Sequence, residues 1–128
     1  MINYLREYGS GLISNGYRII PIRRGCKAPI GITGWTQIEA DLNQLGQWIS
    51  AGFEGVGVLA KHNPAIDIDI LDEDVSREMV LKVQEQYPNS PIRIGKSPKT
   101  LLCFRTDMPF KKVRSNTYED QFGDRHAV

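Results

Sequence analysis

The chain reads as an α+β domain: a mixed or antiparallel sheet with helices packed against it. Three observations predict this class. Short β-prone runs come in adjacent, hairpin-like pairs. Helix-patterned segments separate those pairs. No Gly-x-Gly-x-x-Gly follows a strand and opens a helix, so a doubly wound dinucleotide fold is not indicated. Gly52, Gly55 and Gly57 have the reverse context, with a helix before them and a strand after.

Residues 2–15 place Ile2, Leu5, Tyr8, Leu12 and Ile13 at helical spacing, and Asn15-Gly16 is a helix stop. Gly9 and Gly11 weaken this helix. Residues 17–22 are β-prone and run into Pro21. A loop rich in Gly, Pro and basic residues follows, Arg23-Arg24-Gly25-Cys26-Lys27-Ala28-Pro29-Ile30-Gly31. Asp41 is an N-cap for a helix to about Ala51, with Leu42, Leu45, Trp48 and Ile49 on one face and Gly52 beyond its end. Two strands come next, residues 55–60 and 65–71, joined by Lys61-His62-Asn63-Pro64. Asp72 or Asp74 caps a third helix, whose apolar stripe is Val75, Met79, Val83 and Tyr87. Pro88-Asn89-Ser90-Pro91 ends it. Residues 92–94 and 100–105 are strands around the turn Gly95-Lys96-Ser97-Pro98-Lys99. The tail from Asp107 is polar, a hairpin or a loop.

The length of 128 residues fits one domain with a single core. With 41% hydrophobic and 24% charged residues, the composition is that of a folded protein, not a disordered one. No apolar run approaches the roughly 20 residues that span a bilayer, and the N-terminus lacks the layout of a signal peptide. A cytoplasmic protein without membrane contact is expected. Cys26 and Cys103 fit that compartment as free thiols. Two Cys and two His, all far apart, do not make a zinc site of the usual spacing.

The net charge of +1 says little, but its distribution says more. Residues 65–85 carry seven acids against two bases, and residues 91–114 carry seven bases against one acid. Two solvated faces of opposite sign would look like this. So would a site for a cation and a phosphate.

The acidic region contains Ala65-Ile66-Asp67-Ile68-Asp69-Ile70. Alternation along a strand puts Asp67 and Asp69 on one face and the isoleucines on the other. A hard divalent cation takes one or two carboxylates plus substrate phosphates, so the pair is a candidate metal site; a wet edge strand is the plainer reading. The basic turn offers Arg93, Lys96 and Lys99 to phosphates, or is a basic hairpin tip. Lys27, with Arg23 and Arg24 nearby, could fold over a nucleotide, or belong to an ordinary exposed loop. Trp35 and Trp48 read as packing residues. His62 and His126 read as surface histidines, and Cys103 as buried and not nucleophilic.

Taken in order, these segments resemble the N-terminal bifunctional primase–polymerase domain of phage and plasmid replication proteins, within the archaeo-eukaryotic primase superfamily. The resemblance runs through Gly16-Tyr17-Arg18-Ile19-Ile20-Pro21-Ile22, Lys27-Ala28-Pro29, Gly34-Trp35, the helix ending in Trp48, and Gly55-Val56-Gly57-Val58-Leu59. It continues through Ile66-Asp67-Ile68-Asp69-Ile70 and Pro91-Ile92-Arg93-Ile94-Gly95-Lys96-Ser97-Pro98-Lys99, covering about residues 4–110. It implies a catalytic core related to an RNA-recognition-like fold. It implies template-directed nucleotidyl transfer from nucleoside triphosphates with Mg²⁺ or Mn²⁺. Asp67 and Asp69 match the metal-binding Asp-x-Asp. Arg93, Lys96 and Lys99 fall where the family has its nucleotide-binding turn. DNA template and a C-terminal helicase-like region of the same protein are the implied partners.

The chain departs from the family in two places. Where many members have a histidine after the turn, it has Thr100-Leu101-Leu102-Cys103, leaving the phosphate role to Lys96 or Lys99, or unfilled. The family's third metal-binding acid is one of Glu119, Asp120 and Asp124, or lies past Val128. In the latter case residues 1–128 are the N-terminal part of a longer domain. Two other readings stand beside the enzyme: a non-catalytic nucleotide- or nucleic-acid-binding module of the same fold, and another metal-dependent phosphoryl-transfer enzyme such as a nuclease.

Overall fold

A computed structural model describes all 128 residues. The chain is α+β and divides into two compact units, Met1–Asn63 and Pro64–Val128. No helix is long and apolar enough to cross a membrane.

The first unit begins with α1 (Tyr4–Ser14), followed by β1 (Ile19–Ile22), a 3-10 turn (Trp35–Gln37), α2 (Leu42–Ser50) and β2 (Gly55–Val58). The Asn3 side chain accepts from Arg6 N–H at 2.9 Å and starts α1. Gly9 costs helix propensity, but a Cβ there would lie 2.7 Å from Leu45 Cδ1. The glycine is therefore what lets α2 pack against α1. Asp41 caps α2 as expected, accepting from Gln44 N–H at 2.8 Å. Leu45 and Trp48 are buried, whereas Leu42 is exposed and Trp35 is 38% exposed on its turn.

The expected pairing of the two strands around Lys61-His62-Asn63-Pro64 is overturned. The first of them, β2, pairs antiparallel with β1. Residue complementarity explains the choice: Gly57 stands opposite Ile20, where a Cβ would sit 3.0 Å from Ile20 Cγ1.

The second unit holds β3 (Ala65–Ile68), α3 (Glu73–Gln86), β4 (Ile92–Ile94) and β5 (Thr100–Cys103). Its tail forms the hairpin β6 (Tyr118–Glu119) and β7 (Arg125–His126). The sheet is antiparallel, in the order β3-β5-β4. Ile68, Ile70 and Leu102 are its buried core, with Ile66, Met79, Val80, Val83 and Phe104 packed against them. Full burial of such a side chain, as at Ile68 and Leu102, contributes about 1.5–3 kcal/mol.

Helix α3 keeps Met79 and Val83 of the expected stripe against the core but not its two ends. Val75 and Tyr87 are exposed, while Ser76, Met79, Val80 and Val83 face inward. Two contacts fix this rotation. Asp72 caps the helix through Val75 N–H at 3.0 Å, and the buried Ser76 Oγ donates to Pro98 O at 2.8 Å.

Strand β3 is shorter than expected. It ends at Ile68, and Asp69 forms an isolated antiparallel bridge with Ala127.

Candidate functional site

Register decides which side chains meet. Asp67 and Arg93 both stand opposite Leu101 of the central strand. Directly opposed residues share a face. Asp67, Leu101 and Arg93 therefore form one row across the sheet, with the carboxylate and the guanidinium two strand spacings apart, roughly 10 Å. Ile66, Leu102 and Ile92 alternate to the other face, as do Ile68, Thr100 and Ile94. One face is thus apolar and carries α3; the other is polar.

An open cleft of about 210 Å³ runs from the polar face, where Asp67, Arg93 and Leu101 line it, to the adjoining turn and strand ends, where Asp69, Gly95, Lys96, Lys99 and Thr100 do. That is smaller than the roughly 300 Å³ from which whole-ligand pockets start, and suits a phosphate chain better than an enclosed base. The acidic pair and the three bases of the turn, far apart in sequence, come together here. Lys99 Nζ stands 2.6 Å from Asp69 Oδ1, both groups partly exposed. Lys99 N–H also donates to Lys96 O at 3.0 Å, closing the turn. Pro98 O accepts from Ser76 and from Thr100 Oγ1 at 2.9 Å, which ties the turn to α3 and β5. Ser76 and Thr100 had no functional signal in the sequence, because only tertiary placement gives them this work. Gly95 has open space around it, leaving the rim unobstructed.

Lys27 belongs to the other unit, exposed in the loop after β1. Its neighbours are engaged within that unit. Arg24 pairs with Glu54 at 2.9 Å, and Arg23 lies 4.5 Å over the Phe53 ring. The expectation that Asp72 acts as a cap holds, as its carboxylate serves α3.

Asp67 and Asp69 suit a hard cation. They offer two carboxylate donors, and no group of three or more His, Cys, Asp or Glu forms a closed cage. Such a donor pair leaves coordination to water and phosphate oxygens, as Mg²⁺ and Mn²⁺ prefer. The positive charge that meets Asp69 in this structure is the Lys99 ammonium. Glu119, Asp120 and Asp124 do not line the cleft. Glu119 faces Arg125 at 3.9 Å.

Asp120 engages His126 instead. His126 is not the surface histidine expected from its isolation in sequence; its side chain is 14% exposed. Nδ1 accepts from Leu71 N–H at 3.1 Å, and Nε2 lies 2.9 Å from Asp120 Oδ2. Since Nδ1 is the acceptor, Nε2 carries the proton and donates. The His126 hydrogen bond, joined by Phe122 and Asp124 N–H, holds the Asp120 carboxyl below its ordinary range. A depressed carboxyl stabilises the fold above its unfolded pKa and loses that contribution as pH falls through the folded value. Asp120→Asn is accordingly expected to lower the melting temperature at neutral pH, with the gap to the parent closing below about pH 4. Melting curves across pH check this; a gap that does not narrow as pH falls below about 4 contradicts it.

Cys103 is half-buried, and burial pushes its thiol up despite nearby Arg93. It is a protonated thiol at neutral pH, not a nucleophile.

A carboxylate pair and three cationic side chains thus line one cleft beside an antiparallel sheet. The chain belongs to the family of bifunctional DNA primase/polymerase N-terminal domains, Prim-Pol, whose family model matches residues 11–122. No curated protein and no solved structure matches it.

Proposed function

We propose that this chain carries the nucleotidyl-transfer site of a DNA primase–polymerase, with Asp67 and Asp69 holding Mg²⁺ or Mn²⁺ and Arg93, Lys96 and Lys99 holding the triphosphate. The carrying observation is that these five residues line one cleft. Membership of the primase/polymerase family supports it. Asp67 and Asp69 would hold the metal, which would supply a lowered pKa for an attacking 3′-hydroxyl and charge neutralisation for the leaving pyrophosphate. The residues themselves do the positioning on which phosphoryl transfer depends. Lys96 and Arg93 sit to take phosphate oxygens. The Lys99–Asp69 ion pair is solvent-accessible and worth at most about 1 kcal/mol, so a cation and a phosphate can replace its halves at little cost. On this reading the polar sheet face is a core of the RNA-recognition-like type. The domain acts on DNA template in the cytoplasm, as the N-terminal part of a phage or plasmid replication protein with a helicase-like region following.

One observation favours a second reading. Only two acids meet at the cleft. A module of this fold that binds nucleotide or single-stranded DNA without extending a primer would need no third.

Mn²⁺ with a nucleoside triphosphate at about 100 times its Kd should stabilise the protein by about 2.7 kcal/mol, a rise of about 10 °C in Tm. Primer extension on a single-stranded template then separates the readings. Extension supports the enzyme. A Tm rise and salt-dependent DNA binding without extension support the module. No rise and no extension overturn the proposal, and divalent-dependent DNA cleavage would point to a nuclease.

A further inference from the structure

We infer that His126 is a positioning residue for Asp69, acting through the tail that contains it. The inference rests on the reading of Asp67 and Asp69 as the cation-holding pair.

The two carboxylates are anchored by different elements. Asp67 lies inside the β3–β5 ladder, opposite Leu101. That ladder stops at Ile68↔Thr100. Asp69 lies one residue past it, and its backbone is bridged to the tail. Asp69 N–H donates to Ala127 O at 2.9 Å, and Ala127 N–H donates back to Asp69 O at 3.1 Å. Both main-chain groups of Asp69 are thereby consumed by a single tail residue.

The tail is itself clasped. His126, next to Ala127, accepts Leu71 N–H through Nδ1 and reaches Asp120 through Nε2. Asp120 Oδ1 accepts from Phe122 N–H at 2.8 Å and Asp124 N–H at 3.0 Å, closing the hairpin tip. Ser115 N–H donates to Val128 O at 2.8 Å, and Val128 N–H donates to Ser115 Oγ at 2.9 Å. Residues 115–128 thus form a self-tied strap. It grips the main chain at Asp69 through Ala127 and at Leu71 through His126.

A constellation must be held to about 0.5 Å to work. The separation of the two carboxylates depends on this strap, because the sheet ladder fixes only the first. His126 touches neither cation nor nucleotide. It sets the backbone from which Asp69 projects.

The test uses three variants and Mn²⁺ alone, titrated with free Mn²⁺ followed by electron paramagnetic resonance. His126→Asn puts an acceptor oxygen where Nδ1 stands and keeps the Leu71 bond. His126→Gln puts its polar group near Nε2, keeping Asp120 and abandoning Leu71. His126→Ala loses both. Ala and Gln are expected to weaken Mn²⁺ binding about 10-fold or more, the usual cost of an outer-shell partner. Asn should stay near the parent. The Leu71 amide should exchange faster in Ala and Gln but not in Asn. If Ala fails to fold, the Asn–Gln contrast decides alone. Parental Mn²⁺ affinity in both Ala and Gln overturns the inference, as does rescue by Gln in place of Asn. A parent that binds no Mn²⁺ overturns the cation-pair reading, and the inference with it.

Discussion

Replacing Asp67 and Asp69 together by asparagine is expected to abolish template-directed incorporation while leaving the protein folded. Asparagine matches aspartate in shape and removes only the charge. Neither carboxylate is in the core: Asp67 is exposed, and the Asp69 side chain is 45% exposed. The loss to folding is that of the Lys99 ion pair, at most about 1 kcal/mol. The loss to function is far larger, because the cleft keeps three cations and loses its whole negative side. Removing even an outer-shell partner of a metal costs roughly 10–100-fold in affinity or activity, and removing both proposed ligands should exceed that range. Primer extension at equal protein concentration measures the fall, with circular dichroism as the folding control. Extension at the parental rate by a folded double variant would remove these residues from the site.

Leu102→Ala should give the largest change in stability, about 2–5 kcal/mol by the usual cost of a core leucine truncation. Leu102 is fully buried in the central strand, opposite both Ile66 and Ile92. It packs with Ile68 and Ile70, under Met79, Val80 and Val83. Leu102→Met keeps the volume and should cost under about 1.5 kcal/mol. Urea denaturation reads both values. A loss below 1 kcal/mol for Leu102→Ala would mean that the face under α3 is not the core of this unit. Leu102 points away from the cleft, so at temperatures where the variant stays folded its Mn²⁺ affinity should match the parent.

What the sequence showed of this was mostly local. Asp41 announced its helix because a cap needs only the next three residues. Asp67 and Asp69 announced a shared face because a strand alternates with period two. The α3 stripe is legible at Met79 and Val83 but not at its ends, because the helix is turned by Ser76, a small polar residue whose hydroxyl meets Pro98 O. The partner of β2 could not be read from adjacency, since the fit of Gly57 against Ile20 is a property of two strands far apart in the chain. The acidic and basic halves of the cleft were each visible, but not the row that joins them. That row depends on register, and Leu101 carries no mark of standing between Asp67 and Arg93. His126 was hidden for the same reason, its partners being a backbone amide and an aspartate whose positions only the tail hairpin defines.

Arg93 has a second consequence. It sits on β4, the outermost strand of its sheet, between Ile92 and Ile94, which are 44% and 62% exposed. An exposed apolar edge invites another chain to add a strand, and a charge in its middle discourages that. The guanidinium proposed to hold phosphate is thus also expected to discourage self-association along this edge. Removing it would leave the apolar border uncharged as well as take a cation from the cleft. Loss of activity in an Arg93 variant therefore has two separable origins, and its particle size in solution tells them apart.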